Sequence, residues 1–180
     1  MDRNLEKFDI NKKTIIDKAA KTALIFGAVS VLYLVWGFLL DPNASTVLYQ
    51  IVGLAKIVGL IILMRKCMQN LKDSYNNVSA RELKQYGKYI ALFSSVIVAV
   101  STFVCLQFIF PDYVKTVMDL AYAQMGSMLD SNSITLLQEM ENKMASYQCV
   151  GSLIWCYLYG YILSCILAPR IAPKNIFNED

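Results

Sequence analysis

The chain contains no histidine. That removes the side chain that most often serves as a general base near neutral pH and the commonest imidazole metal ligand. Its five cysteines, Cys67, Cys105, Cys149, Cys156 and Cys165, contain no C-x-x-C pair, so the zinc spacings are missing as well. No G-x-S-x-G and no phosphate-cradling glycine loop occurs. Charge is also scarce: 17 Lys/Arg and 14 Asp/Glu make up 17% of 180 residues that are 56% hydrophobic, where an ordinary domain carries about 25% charge. A soluble enzyme, a nucleic-acid-binding domain and a disordered chain are excluded on these grounds. No cofactor, metal or nucleic acid is expected as a partner.

What is present is long apolar runs. Thirty of the 31 charges lie outside four windows, 22–40, 47–64, 89–110 and 145–168, and Lys56 is the exception. Each window can span a bilayer, because about 20 apolar residues at about 1.5 Å rise cross a hydrocarbon core of roughly 30 Å. The expected fold is an all-α integral membrane protein, an antiparallel four-helix transmembrane bundle. Residues 1–21 form a cytoplasmic N-terminal segment, 22–168 a single four-span membrane domain, and 169–180 a cytoplasmic tail.

The charges also orient the chain. Residues 1–21 carry six basic side chains against four acidic, and 65–88 six against two; residues 111–143 carry only Lys115 and Lys143 against five acids. With Arg170 and Lys174, fourteen of seventeen basic residues fall in the first, third and fifth non-membrane segments. Cytoplasmic loops carry the Lys/Arg excess, so both termini are expected in the cytoplasm of a multi-pass inner-membrane protein. The first window is read as a span and not a cleaved leader, since it lacks a small-x-small site and runs through an Asp41-Pro42-Asn43 turn into a second apolar run.

The outer segment 111–144 is patterned. Val114, Val117, Met118, Ala121, Met125, Met128 and Leu129 recur at helical spacing, as do Ile134, Leu137, Met140 and Met144. Two amphipathic helices are expected, forming an extracytoplasmic hairpin between spans three and four, with Pro111 starting the first and Ser133 capping the second. On the inner side Ser79-Ala80-Arg81-Glu82 reads as a capping box, so a helix should begin near Ala80 and continue through Gly87 into span three. Lys72 to Asn77 before it reads as a turn.

Apolar side chains gain nothing by leaving lipid for one another, so spanning helices associate through small residues that let backbones approach. Span four carries Ser152, Cys156, Gly160, Ser164 and Ala168 at spacing four, span three carries Ala91, Ser95 and Ala99, and in span two Gly53 and Gly59 flank Lys56 on one face. These are the helix-packing candidates. Whether the span-four stripe packs within one chain or makes a homo-oligomer is not legible in the sequence.

Lys56 is the only candidate ligand-binding charge inside a span. A central Lys costs about 2.5–3.5 kcal/mol on insertion, while the eleven Leu, Ile and Val of its window return roughly 3–7 kcal/mol. Insertion therefore survives it. Ser152, Cys156 and Tyr157 are the polar side chains expected near its depth, and Lys56, Ser152 and Tyr157 form the candidate site for an anionic headgroup or substrate. A snorkelling lysine satisfied by hydroxyls and carbonyls is the competing structural reading.

Lys21-Thr22-Ala23-Leu24-Ile25-Phe26-Gly27, Arg65-Lys66, Val78-Ser79 with Gly87, and Pro111-Asp112-Tyr113 stand in an order and spacing that resemble a bacterial family filed as a domain of unknown function, number forty-one ninety-nine. The resemblance covers roughly Lys18 to Pro173. It implies a four-span inner-membrane protein with a polar loop before the last span, and it points to a membrane glycosyltransferase as one partner, since such enzymes neighbour family members. It implies no activity or site.

The expected function is that of a non-enzymatic accessory or scaffold subunit of a membrane complex, embedded in the lipid bilayer and contacting an unknown membrane protein. The alternative is a small transport or lipid-handling unit in which Lys56 binds an anionic group. An intramembrane enzyme using Cys156 or Ser152 ranks last, because helix packing already accounts for both.

Overall fold

The computed structural model describes residues 11–39, 46–75, 78–125 and 131–172. Among them the chain is helical throughout: α1 (Lys12–Leu39), α2 (Thr46–Ser74), α3 (Ala80–Val104), a five-residue π turn (Cys105–Ile109), α4 (Pro111–Met125) and α5 (Ser131–Ile171). Among the described residues three helical stretches are long and apolar enough to cross a membrane, Lys12–Leu39, Ala80–Ile109 and Leu137–Ile171. The Asp41-Pro42-Asn43 turn, Met128 and Leu129, the outermost N-terminal residues and most of the expected tail lie outside the described residues.

Contacts between the helices set their directions. Gly160 meets Ala91 and Ser164 meets Gly87, which runs α5 antiparallel to α3. Thr22 Oγ1 lies 2.8 Å from Tyr86 Oη while Gly27 faces Ile97, so α1 and α3 run parallel. Lys18 stacks on the Tyr75 ring and Lys56 on the Tyr33 ring, which places α2 antiparallel to α1. The core lies near the basic end, where Ile15, Ala19, Met64, Met68, Leu71, Leu83, Tyr86 and Ala168 are buried together. Large apolar residues such as Leu24, Leu32, Ile51, Leu54, Ile154 and Ile162 remain exposed on the outside, as expected where lipid, not water, is the solvent.

The capping box forms as expected. The Glu82 amide donates to Ser79 Oγ at 3.3 Å, and the Ser79 amide donates to Glu82 Oε2 at 2.8 Å. From there α3 runs unbroken through Gly87. The stretch read as a turn before it is partly helical, because α2 continues through Lys72, Asp73 and Ser74; Lys72 in that last turn faces the negative end of the helix dipole and favours the extension.

At the far end Pro111 starts α4 as expected, but α3 reaches it through an unforeseen π turn. Phe110 N–H donates to Cys105 O at 2.7 Å, an i to i+5 bond, and Phe110 leaves the helix at φ −128°, ψ 55°. A residue before proline is pushed out of the helical region, so the wider turn ends the helix while keeping one more bond. Phe38 packs tilted against Phe110 and edge-to-face against Tyr113, with centroids 5.6 and 4.9 Å away, and ties α4 to the end of α1. Met118 is buried and Asp112, Lys115 and Asp119 are exposed, so α4 is amphipathic as its spacing requires.

The second outer helix is not separate. The helix α5 begins at Ser131, so Ser133 lies inside it and does not cap it, and it runs on without a break into the fourth apolar window. No proline or glycine interrupts residues 131–150, so nothing stops propagation of an already nucleated helix. An exposed i, i+4 pair, Lys143 Nζ to Glu139 Oε1 at 2.6 Å, lends slight local support to the helix.

Candidate functional site

The small-residue stripes of α3 and α5 meet each other. A Cβ placed on Gly160 would stand 2.6 Å from Ala91 Cβ and 3.3 Å from Ala91 Cα. One placed on Gly87 would collide with the Ser164 hydroxyl and come within 2.6 Å of Met68 Cε. Ser95, Ala99, Ser164 and Ala168 are buried. The hydroxyls do not bridge the helices: Ser95 donates to Leu92 O at 2.8 Å and Ser164 to Gly160 O at 2.7 Å, each satisfied within its own helix. Gly160, Ser164 and Ala168 of the α5 stripe are thus packed within one chain. Ser152, at the N-terminal end of the stripe, donates to Cys149 O at 2.9 Å.

The glycines beside Lys56 part company. Gly53 packs under Tyr33, where a Cβ would stand 2.9 Å from the phenolic oxygen, whereas a Cβ on Gly59 would have nothing within 4 Å. Gly59 is exposed and takes no part in packing among the described residues. Spacing three puts three residues within about a third of the helix circumference, not on a line, and the neighbour covers only one side of that arc.

Lys56 itself turns inward. Its Nζ sits 4.3 Å from the centre of the Tyr33 ring, a cation–π geometry worth about 2 kcal/mol or more when desolvated. Tyr33 and Lys56 stand about equally far in sequence from residues 41–46, so the antiparallel helices α1 and α2 bring them level. Beside them lies a cavity of roughly 290 Å³, lined from α1 by Phe26, Ser30 and Tyr33, from α3 by Ile90, Ala91, Ser94 and Val98, and from α5 by Trp155, Cys156, Tyr159 and Gly160. At about 30 Å³ per water the space equals some ten waters. Its walls are apolar apart from the ammonium, the Cys156 thiol, the Trp155 indole and the hydroxyls of Ser30, Tyr33, Ser94 and Tyr159.

Two of these hydroxyls are instructive. Ser94 donates back to Ala91 O at 3.3 Å, a long bond. Tyr159 Oη is buried and has no hydrogen-bond partner among the described residues. A buried hydroxyl without a partner costs about 1–3 kcal/mol, so a group entering the cavity that accepts from Tyr159 while facing the ammonium recovers that cost. No carboxylate lines the cavity. An acceptor bearing negative charge is therefore the chemistry it fits.

Of the three side chains expected to form a site, only Lys56 lines the cavity. Ser152 lies about one turn before Cys156 on α5, and Tyr157 points elsewhere on that helix, where its ring stacks on Tyr161 with centroids 6.1 Å apart. Cys156, expected near the depth of Lys56 and as a packing residue, lines the cavity with it. Tyr33, Ser94 and Tyr159 were not foreseen. For Tyr33 the signal existed in its near-equal sequence distance, with Lys56, from residues 41–46; for Tyr159 it did not, because α5 is separated from α2 by two helices in sequence.

All five cysteines are free thiols, Cys105 and Cys149 included. Neither a curated relative nor a solved structure matches the chain. The motifs from Lys21 to Arg170 do find their family: a model described as "Protein of unknown function (DUF4199)" matches residues 21–170, most of the chain, and the chain belongs to that family.

Proposed function

We propose that this chain is a four-span protein of the bacterial cytoplasmic membrane, both termini inside, which holds an anionic amphiphile or small anion at mid-membrane without a chemical step of its own. The single observation that carries the reading is Lys56, a cation in the middle of an apolar window, facing an uncharged cavity that also contains the unpartnered Tyr159 hydroxyl. Intramembrane ionisable residues face bundle interiors and mark substrate paths more often than lipid. The cavity takes walls from α1, α2, α3 and α5, and this shared lining supports the four-span reading.

The test is lipid and anion analysis of the purified protein beside Lys56→Leu and Lys56→Arg. A bound anionic species near one per chain is expected in the first, lost in the leucine variant and at least partly kept in the arginine variant. A wild-type protein that carries no anion, and that gives no anion flux in liposomes, would sink the proposal.

A second reading, an accessory subunit of a membrane complex, is favoured by Gly59 and Gly151. A Cβ on either would have nothing within 4 Å, and an uncovered glycine on a span lets a foreign helix approach closely. A membrane glycosyltransferase and a second copy of this chain are the two partners proposed. Copurification in mild detergent, weakened by Gly59→Leu or Gly151→Leu, supports it; recovery of the chain alone counts against it.

A further inference from the structure

The basic end of the molecule holds a second cavity, distinct from that of Lys56. It measures roughly 560 Å³ and lies between the C-terminal ends of α2 and α5, lined by Arg65, Gln69, Asn70, Lys72, Asp73, Leu167, Arg170 and Ile171. Arg65, Gln69 and Lys72 stand at i, i+4 and i+7, one above the other on a single face of α2. Arg170 comes from the opposite wall. Three cations therefore meet one carboxylate, and among the described residues none of the three forms an ion pair.

Ordinary helix capping accounts for only part of this. Lys72 and Arg170 sit in the last turns of their helices, where the dipole favours positive charge. Arg65 lies nine residues before Ser74, beyond the reach of a terminal dipole, which fades within one turn. Its position is instead set by the apolar windows: Arg65 directly follows 47–64 and Arg170 follows 145–168 by two residues. The cleft thus stands at the level where a bilayer changes from acyl chain to headgroup. Its floor is apolar, with Leu167 and Ile171 both buried, and the exposed Ile62 and Ile166 lie on the membrane side of it.

We infer that this cleft binds a phosphate group, with the guanidinium forks of Arg65 and Arg170 on its oxygens and Lys72 as a third charge. Planar guanidinium pairs phosphate in bidentate fashion, and two forks from opposite walls converge on one group. Gln69 and Asn70 supply amide donors to the remaining oxygens. The apolar floor suits the glycerol and first methylenes of a lipid whose headgroup is the phosphate, and basic pockets between spanning helices on the inner side are the setting in which such headgroups bind. The site is independent of the Lys56 cavity, so Lys56→Leu leaves it intact.

The experiment uses the full chain in mild detergent, with thermal unfolding and native mass spectrometry as readouts. The probes are phosphatidic acid, phosphatidylcholine, glycerol 3-phosphate and inorganic phosphate, each alone. Phosphatidic acid is expected to stay bound and to raise the unfolding midpoint, while phosphatidylcholine does neither. Arg65→Gln with Arg170→Gln should weaken retention at least tenfold, whereas Lys12→Gln with Lys13→Gln, which removes the same charge from exposed positions at the same end, should leave it unchanged. Glycerol 3-phosphate or inorganic phosphate acting as strongly as the lipid would assign the site to free phosphate; response to the lipid alone assigns it to a headgroup. Equal loss in both double variants, or binding of phosphatidylcholine as tight as that of phosphatidic acid, overturns the inference.

Discussion

Gly160→Ala isolates the described glycine whose added Cβ would meet the backbone of a neighbouring helix. The new methyl would stand 2.6 Å from Ala91 Cβ and 3.3 Å from Ala91 Cα, and the second of these is backbone that no rotamer change can move. The helices α3 and α5 must therefore separate along much of their shared seam, where Ser95, Ala99, Ser164 and Ala168 are all buried. Overpacking of this kind costs about 1–3 kcal/mol. Against it stands the gain of up to about 1 kcal/mol from replacing glycine by alanine in a helix. Gly59→Ala enjoys the same gain and meets nothing within 4 Å, so the difference between the two variants removes the propensity contribution and reports the clash. That difference should be about 1–3 kcal/mol, or roughly 2–4 °C of unfolding midpoint per kcal/mol for a chain of this length. Thermal unfolding in one detergent, followed by size-exclusion fluorescence, reads it directly. Ala91→Gly should restore much of the loss in the double variant, because residues in direct contact couple. If Gly160→Ala melts at or above Gly59→Ala, the reasoning that small residues of α3 and α5 set their separation is wrong.

Ser79→Ala removes both the Oγ acceptor of the Glu82 amide and a hydrogen bond of 2.9 Å to its carboxylate, and should destabilise by about 0.5–2 kcal/mol; the same midpoint assay checks it, and Ser79→Asp should recover most of the loss. Reporter fusions test the proposed topology. Fusions after Ser74 and after Ile171 are expected to report the cytoplasm, and a fusion after Met125 the outer side; a cytoplasmic signal at all three would refute the four-span orientation.

Most of the fold's local order is legible in the sequence because it depends on neighbours within one turn. The capping box at Ser79 and Glu82, the start of α4 at Pro111, and the amphipathic register that buries Met118 are all decided by residues at most four apart. The family was legible for a related reason: Lys21 to Gly27, Arg65-Lys66 and Pro111-Asp112-Tyr113 mark the ends of apolar segments, and their spacing survives without any tertiary contact. The π turn at Cys105 to Ile109 was missed because a proline announces where a helix stops, not how the preceding turn adjusts. The continuity of α5 was missed because Ser133 looks like a cap until the residues before it are seen already wound.

The candidate site was half legible. A lysine in an apolar window is visible by its cost alone, and the sequence by itself determined that Lys56 needs a partner or an exit to the interface. Which side chains surround it was decided by the angular position of three other helices, each of which presents a different face according to how closely glycine and alanine allow the backbones to approach. That is why Ser152 and Tyr157, at a plausible depth, fall outside the cavity, while Tyr33, Ser94 and Tyr159 line it. Depth along a helix follows from counting residues at a fixed rise; rotation about its axis follows only from packing, and it is rotation that turns a charge in a membrane segment into one wall of a cavity.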